Sequence, residues 1–331
     1  MEDKKKKKRF RLFDSQREGK GVSKEDANIT PDLRGFWRGL RRDLSRLVRV
    51  NLLIVLGNFP IVFALIALSG VFNQKYAAPV SDLFQSLHAL SLLEGGSASP
   101  ALFARIGIDG LQYSASAMTT LTYVFYGLAA LVIFTFGCVN VGVAYLIRNM
   151  IKGEPVFIWS DFWYAIKNNF RQAFFFGILD AFLLFLIPFN IISLLGGGNL
   201  FTSIMFWMTI VIGILYFFMR FYIYLQMVTF DLSLWKILKN SLIFSLLGIK
   251  RNLMALLGII LLLFIEYFCI FVGYSMGLQG LLIPLGIALP LIIMFAVGAY
   301  MATFAAYFKV KEIMIDPQMR PNEEVAATDL E

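Results

Sequence analysis

The sequence predicts an all-α, polytopic membrane bundle of about six transmembrane helices edged by amphipathic interfacial helices. Three observations predict it. Apolar residues make up 58% of the 331 residues, above the roughly 45–50% of an ordinary soluble domain. The excess gathers in runs of about 20 residues, the length that crosses a hydrocarbon core of about 30 Å. Lysine and arginine fall almost wholly on one side of those runs.

Residues 1–30 are polar and basic, from Lys4 through Arg9 to Arg11, Arg17, Lys20 and Lys24. Nothing in them builds a core, so they read as a disordered cytoplasmic tail. The first long apolar run begins near Asn51, and no cleavable signal pattern precedes it. Residues 31–49 read as an amphipathic interfacial helix, opened by the Thr30 hydroxyl as cap and Pro31 at the first helical position. Leu33, Phe36, Trp37, Leu40, Leu44 and Leu47 recur at helical spacing, with Arg34, Arg38, Arg41, Arg42 and Arg46 between them. Such a helix either lies on the inner membrane surface or docks a partner.

Residues 50–308 form the membrane domain. Its spans are expected at 50–70 (kinked by Pro60), 120–147, 173–194, 202–227, 253–273 and 281–308. Residues 71–118 are an extracytoplasmic segment, with helix-like pieces at 83–93 and 101–111 suggesting a cap of short helices. Residues 309–331 are a second tail. Of the 30 Lys and Arg, 28 lie in segments this topology places inside, and only Lys75 and Arg105 lie outside. That asymmetry puts the amino terminus in the cytoplasm, and an even number of spans puts the Lys309 and Lys311 end there too. The expected location is the bacterial plasma membrane. The net charge of +8 then speaks for anionic lipid at the inner face rather than nucleic acid.

The two cysteines, Cys138 and Cys269, sit in different apolar runs and read as packing residues. A single histidine, His88, supplies no zinc or haem site. No cofactor is expected.

Two inner loops carry similar stretches at a constant offset of 72 residues. Trp163, Lys167 and Asn168 answer Trp235, Lys239 and Asn240, while Phe162, Ile166 and Phe170 answer Leu234, Leu238 and Leu242. In both copies a span precedes and another follows. The physical reading is an interfacial helix with Trp at the lipid boundary. The alternative is a parallel repeat of the kind transporters use. These six polar and aromatic residues are the candidate interfacial or partner contacts.

Ionisable groups inside spans are costly and are functional candidates by default. Three qualify as a candidate polar centre: Asp180, Arg220 and Glu266. Asp180 and Arg220 lie at depths that match, which suits either a buried pair that fixes helix register or a centre for a substrate, ion or partner. Asn51, Asn58 and Asn140 read as interhelical hydrogen-bonding groups. The 33 Phe and 13 Tyr read as lipid-facing or packing residues. The chain lacks a phosphate-binding glycine loop, a Gly-x-Ser-x-Gly elbow and a His-Glu-x-x-His helix, so no enzyme activity is expected.

The stretch from Gly137 through Asn140 to Arg148, then Lys152-Gly153-Glu154, Ser160-Asp161-Phe162, 166–172 and Gly177-Ile178-Leu179-Asp180 resembles the YesL-like family. These are bacterial membrane proteins of uncharacterised function. The resemblance runs over about 45–315. The long basic tail, the large 71–118 segment, and Asn140 in place of a Pro-Ala-Thr run depart from shorter members. Members often lie in gene clusters for polysaccharide use and sugar import. The resemblance therefore implies an accessory or regulatory partner of carbohydrate import machinery, with importer subunits as partners. It carries over no catalytic residues. The rival expectation is a small-solute transporter built around Asp180, Arg220 and Glu266.

Overall fold

The computed structural model describes residues 29–79 and 112–319. Most of the first tail, the pieces 83–93 and 101–111, His88 and the end of the second tail lie outside the described residues.

The described chain is almost entirely helical. Helices α1 (Leu33–Gly57) and α2 (Pro60–Leu68) lead to a two-stranded antiparallel ribbon, β1 (Gln74–Pro79) with β2 (Gln112–Ala117). Then come α3 (Thr120–Ala129), α4 (Val132–Lys152), α5 (Ile158–Leu194) and α6 (Leu200–Met227). The rest is α7 (Leu234–Leu247), α8 (Ile249–Ser275), α9 (Gln279–Leu289), a π-helical turn (Pro290–Met294) and α10 (Phe295–Val310), followed by short helical turns to Met319. Five helical stretches are long and apolar enough to cross a membrane, or six if the bent pair α1–α2 counts as one.

Several boundaries differ from the sequence-based expectation. The first helix is capped by Asp32, not Thr30. The Asp32 carboxylate accepts from the Gly35 N–H at 2.9 Å, and the Thr30 hydroxyl donates to the same carboxylate. Those two donors hold the Asp32 carboxyl below its ordinary pKa. Pro31 stands outside the helix. The stretch read as the interfacial helix and the first half of span one are a single helix, α1, whose face of Phe36, Leu40, Leu47 and Val50 packs into the bundle. The break falls at Asn58 and Phe59, with a 62° bend and Pro60 opening α2, because Pro60 has no N–H to continue the ladder. The first interfacial stretch, 160–170, is fused into α5, since no Gly or Pro interrupts the chain from Ile158 to the turn containing Gly177. Its counterpart α7 stays separate, divided from α8 at Gly248. There an added Cβ would meet the Tyr222 hydroxyl at 2.2 Å. The ribbon was not expected at all.

The spanning helices form two sets. α4, α6 and α10 touch one another at the centre. The others cover the grooves between them: α1 over α4 and α10, α5 over α4 and α6, and the α7–α8 segment over α6 and α10. α4 and α5 approach closely where Gly137 faces Gly177. A Cβ on Gly137 would lie 1.9 Å from the Ala173 carbonyl oxygen, so only glycine lets the backbones meet. Gly153, at φ 75°, closes α4 in the left-handed conformation that glycine adopts freely.

Burial is uneven along the bundle. The buried residues of α4 run from Gly137 to Ile151, those of α5 from Phe162 to Asp180, and those of α6 from Tyr216 to Met227. All lie toward the end that carries the arginines of α1, here called the basic end. At the far end, apolar side chains such as Phe185, Leu200, Phe201 and Val211 are exposed.

Candidate functional site

Two polar constellations stand out. The first is inside the bundle. Asp180, on the buried face of α5, has no exposed surface. Tyr216, Arg220 and Tyr224 recur every four residues, which lines them up on one face of α6 opposite it. The Arg220 guanidinium donates from Nε to one carboxylate oxygen at 2.7 Å and from Nη2 to the other at 3.1 Å. The Tyr216 hydroxyl adds a bond of 2.7 Å to the first oxygen, and the Tyr224 hydroxyl one of 2.5 Å to the second. Arg220 also lies over the Phe136 ring, 5.7 Å from its centroid. Each carboxylate oxygen thus accepts two hydrogen bonds, and the two charges neutralise each other in a low-dielectric setting.

Of the sequence-predicted centre, Asp180 and Arg220 are brought together. Glu266 is not. It sits partly exposed on α8, and no hydrogen bond or ion pair joins its carboxylate to another described residue. The two tyrosines were missed because aromatic residues were read as packing or lipid-facing. Their four-residue spacing around Arg220 is the signal that finds them.

Further polar links tie the helices. Asn51 of α1 donates to the Pro290 and Leu291 carbonyls at 2.8 Å each and accepts from the Ala296 N–H at 2.9 Å. It thereby spans the π-helical turn, where the Pro290 ring removes a backbone donor. Asn252 of α8 accepts from the Tyr222 hydroxyl at 2.8 Å and donates to the Ser245 carbonyl at 3.0 Å. Asp43, fully buried, pairs with Arg42 at 2.7 Å and Arg46 at 2.9 Å, and Arg42 also reaches the Met150 carbonyl. The 72-residue offset of the loop helices extends to these side chains. In sequence, Arg148 corresponds to Arg220, and Asp180 to Asn252. At the Asp180 position the second copy keeps a polar side chain but not its charge.

The second constellation is a cleft of about 580 Å³ at the basic end, bounded by α4, the start of α5 and the loop after α6. Arg148 contributes a guanidinium that bonds the Asn149 amide oxygen at 3.0 and 3.1 Å, caps the Val228 carbonyl and stacks 4.8 Å from the Tyr145 ring centroid. Tyr164, Asn168 and Arg171 come from one face of α5, and Asp231 from the loop.

Of the interfacial candidates, Trp163, Lys167 and Asn168 are exposed on the first turns of α5, and only Asn168 lines the cleft. Trp235 and Lys239 are exposed on α7, and Asn240 is half-buried there. Each set sits on its own helix, and Trp163 makes ring contacts with Trp159 and Phe162.

No curated protein and no solved structure matches the chain. Residues 116–191, which take in α3, α4 and nearly all of α5, match the family model described as "Protein of unknown function, DUF624". Arg148, Asn168 and Asp180 fall inside that match and Arg220 lies beyond it, in a chain whose apolar helices fit a multi-pass membrane protein.

Proposed function

We propose that the chain is an accessory or regulatory membrane protein, without enzymatic activity, that serves carbohydrate import machinery from the cytoplasmic face of a bacterial plasma membrane. One observation carries the accessory reading. The charged pair in the bundle is closed on itself, Asp180 having all four acceptor positions engaged by α6. A carboxylate held that way locks two helices and has little to offer a solute. The exposed Trp163, Lys167, Trp235 and Lys239 and the cleft beside Asn168 all lie at the basic end, where a partner would be met. The carbohydrate assignment is supported by the resemblance to YesL-like proteins. The Lys and Arg asymmetry supports a cytoplasmic position for both termini.

The test is a mild-detergent pull-down of the tagged chain from its native membrane, read by mass spectrometry. Importer permeases or a sugar-binding lipoprotein co-purifying in stoichiometric yield are the expected result. Recovery of the chain alone, in good yield, overturns it. The rival reading, a small-solute transporter, draws on the position of Asp180 and Arg220 within spanning helices. Asp180→Asn separates the two, because a transporter loses flux with assembly intact and a lock loses folded yield.

A further inference from the structure

The cleft at the basic end, counted above for its position, has a donor chemistry that the accessory reading leaves unassigned. We propose that it binds the phosphodiester of a membrane phospholipid headgroup.

The first argument is donor chemistry. The Arg148 guanidinium is fixed in place by Asn149, Val228 and Thr229, and those bonds leave part of its donor capacity unspent. Arg171 and Asn168 are exposed, and no hydrogen bond or ion pair joins either side chain to another described residue. Tyr164, Asn168 and Arg171, at helical spacing, turn a phenol, an amide and a second guanidinium to the same side of α5. A wall this rich in N–H and O–H groups suits a ligand made of acceptors, and guanidinium forks suit phosphate oxygens.

The second argument is charge. The charged residues lining the cleft are Arg148, Arg171 and Asp231. Two guanidiniums against one carboxylate leave a single positive charge. That matches the single negative charge of a phosphodiester better than the near-dianion of a phosphomonoester or inorganic phosphate.

The third argument is position. Arg148 lies one turn before the end of α4, and the loop 228–231 follows directly on the last residue of α6, so the cleft sits where the spanning helices end. The exposed Trp159 and Trp163 on the neighbouring turns of α5 suit the same interfacial level. Down α5 from Arg171, the same face continues as Phe175, Leu179 and Phe182, all exposed. That apolar strip offers acyl chains a surface directly below the headgroup. A soluble diester would have no use for it.

The inference needs no protein partner, so a pull-down that recovers none leaves it standing. The test uses the full chain, stripped of lipid in detergent and titrated with phosphatidylglycerol. Native mass spectrometry counts bound lipid, and a thermal melt monitors folding. The wild type is expected to retain phosphatidylglycerol. Arg171→Gln should weaken retention about tenfold, the loss of one charged fork, with the melt unchanged. Asp231→Asn should strengthen it two- to threefold, by removing the nearest repulsion. Equal retention by wild type and Arg171→Gln overturns the proposal, as does no retention by the wild type. Glycerophosphoglycerol and inorganic phosphate form the third arm. If either competes with the lipid at equal concentration, the site belongs to a soluble phosphate compound and the lipid assignment falls.

Discussion

The basic-end half and the far half of this bundle are made of the same apolar helices and are held together differently. Near the basic end, α4, α5 and α6 bury nearly every inward residue; Asp180 ties α5 to α6, Asn51 ties α1 to the π-helical turn and α10, Asn252 ties α8 to α6, and Arg42, held by Asp43, ties α1 to α4. Toward the far end the same helices run on with their Phe, Leu and Ile exposed, as at Phe185, Leu200 and Val211. The difference shows which force does what in a bilayer. Apolar side chains gain little by leaving lipid for each other, so they set the length of a span but not its neighbours. Close backbone approach and interhelical hydrogen bonds choose the neighbours, and for α4, α5 and α6 both are gathered in one half.

That contrast can be broken by mutation. The largest effect is expected from Asp180→Ala, which leaves the Arg220 guanidinium buried without its counter-charge and should cost about 3–5 kcal/mol of stability. Thermal unfolding in a mild detergent measures it. If the variant melts like the wild type, the pair does not lock α5 to α6. Next comes Gly137→Ala. Its Cβ cannot fit 1.9 Å from the Ala173 carbonyl, so α4 and α5 must separate at about 1–3 kcal/mol. A crosslinking yield between engineered cysteines on the two helices should fall with it.

Asn51→Leu should cost about 0.6–2 kcal/mol, because it frees the carbonyls of Pro290 and Leu291 at the π-helical turn. Hydrogen exchange at the amides of α10 is the sensitive readout, and faster exchange confined to 290–300 is the expected pattern. The smallest effect is expected at the far end. Phe185→Ala, at a site 67% exposed, should stay within about 0.5 kcal/mol of wild type. A loss as large as that of Asn51→Leu would show that the far half is cemented too, and the contrast would not hold.

Much of this fold was legible because span length is a strong signal. The expected 202–227 and 253–273 lie inside α6 (Leu200–Met227) and α8 (Ile249–Ser275). What failed was punctuation. Nothing in 158–172 announces that the interfacial stretch continues into α5, because a helix leaving the membrane surface and one entering the bilayer share the same backbone. The ribbon was hidden for another reason. Ala77, Ala78, Ser114 and Ala115 have weak strand preference, and their partners are more than 30 residues away in sequence. At the site, depth alone placed Asp180 against Arg220, since a lone charge in a span needs a partner. Tyr216 and Tyr224 were lost among the other aromatics until their common face with Arg220 was considered. Glu266 shows the limit of the same rule, because sharing a membrane with a candidate pair does not place a residue beside it.

The pairing of Asp180 with Arg220 has a consequence for synthesis. The chain emerges amino end first, so α5 reaches the membrane before Arg220 does. For that interval a carboxylate stands in the translocon or the bilayer with no cation to meet it. A chain truncated between Leu194 and Arg220 keeps that unpaired carboxylate for good, a costly mark of an unfinished copy. Completing α6 erases the mark.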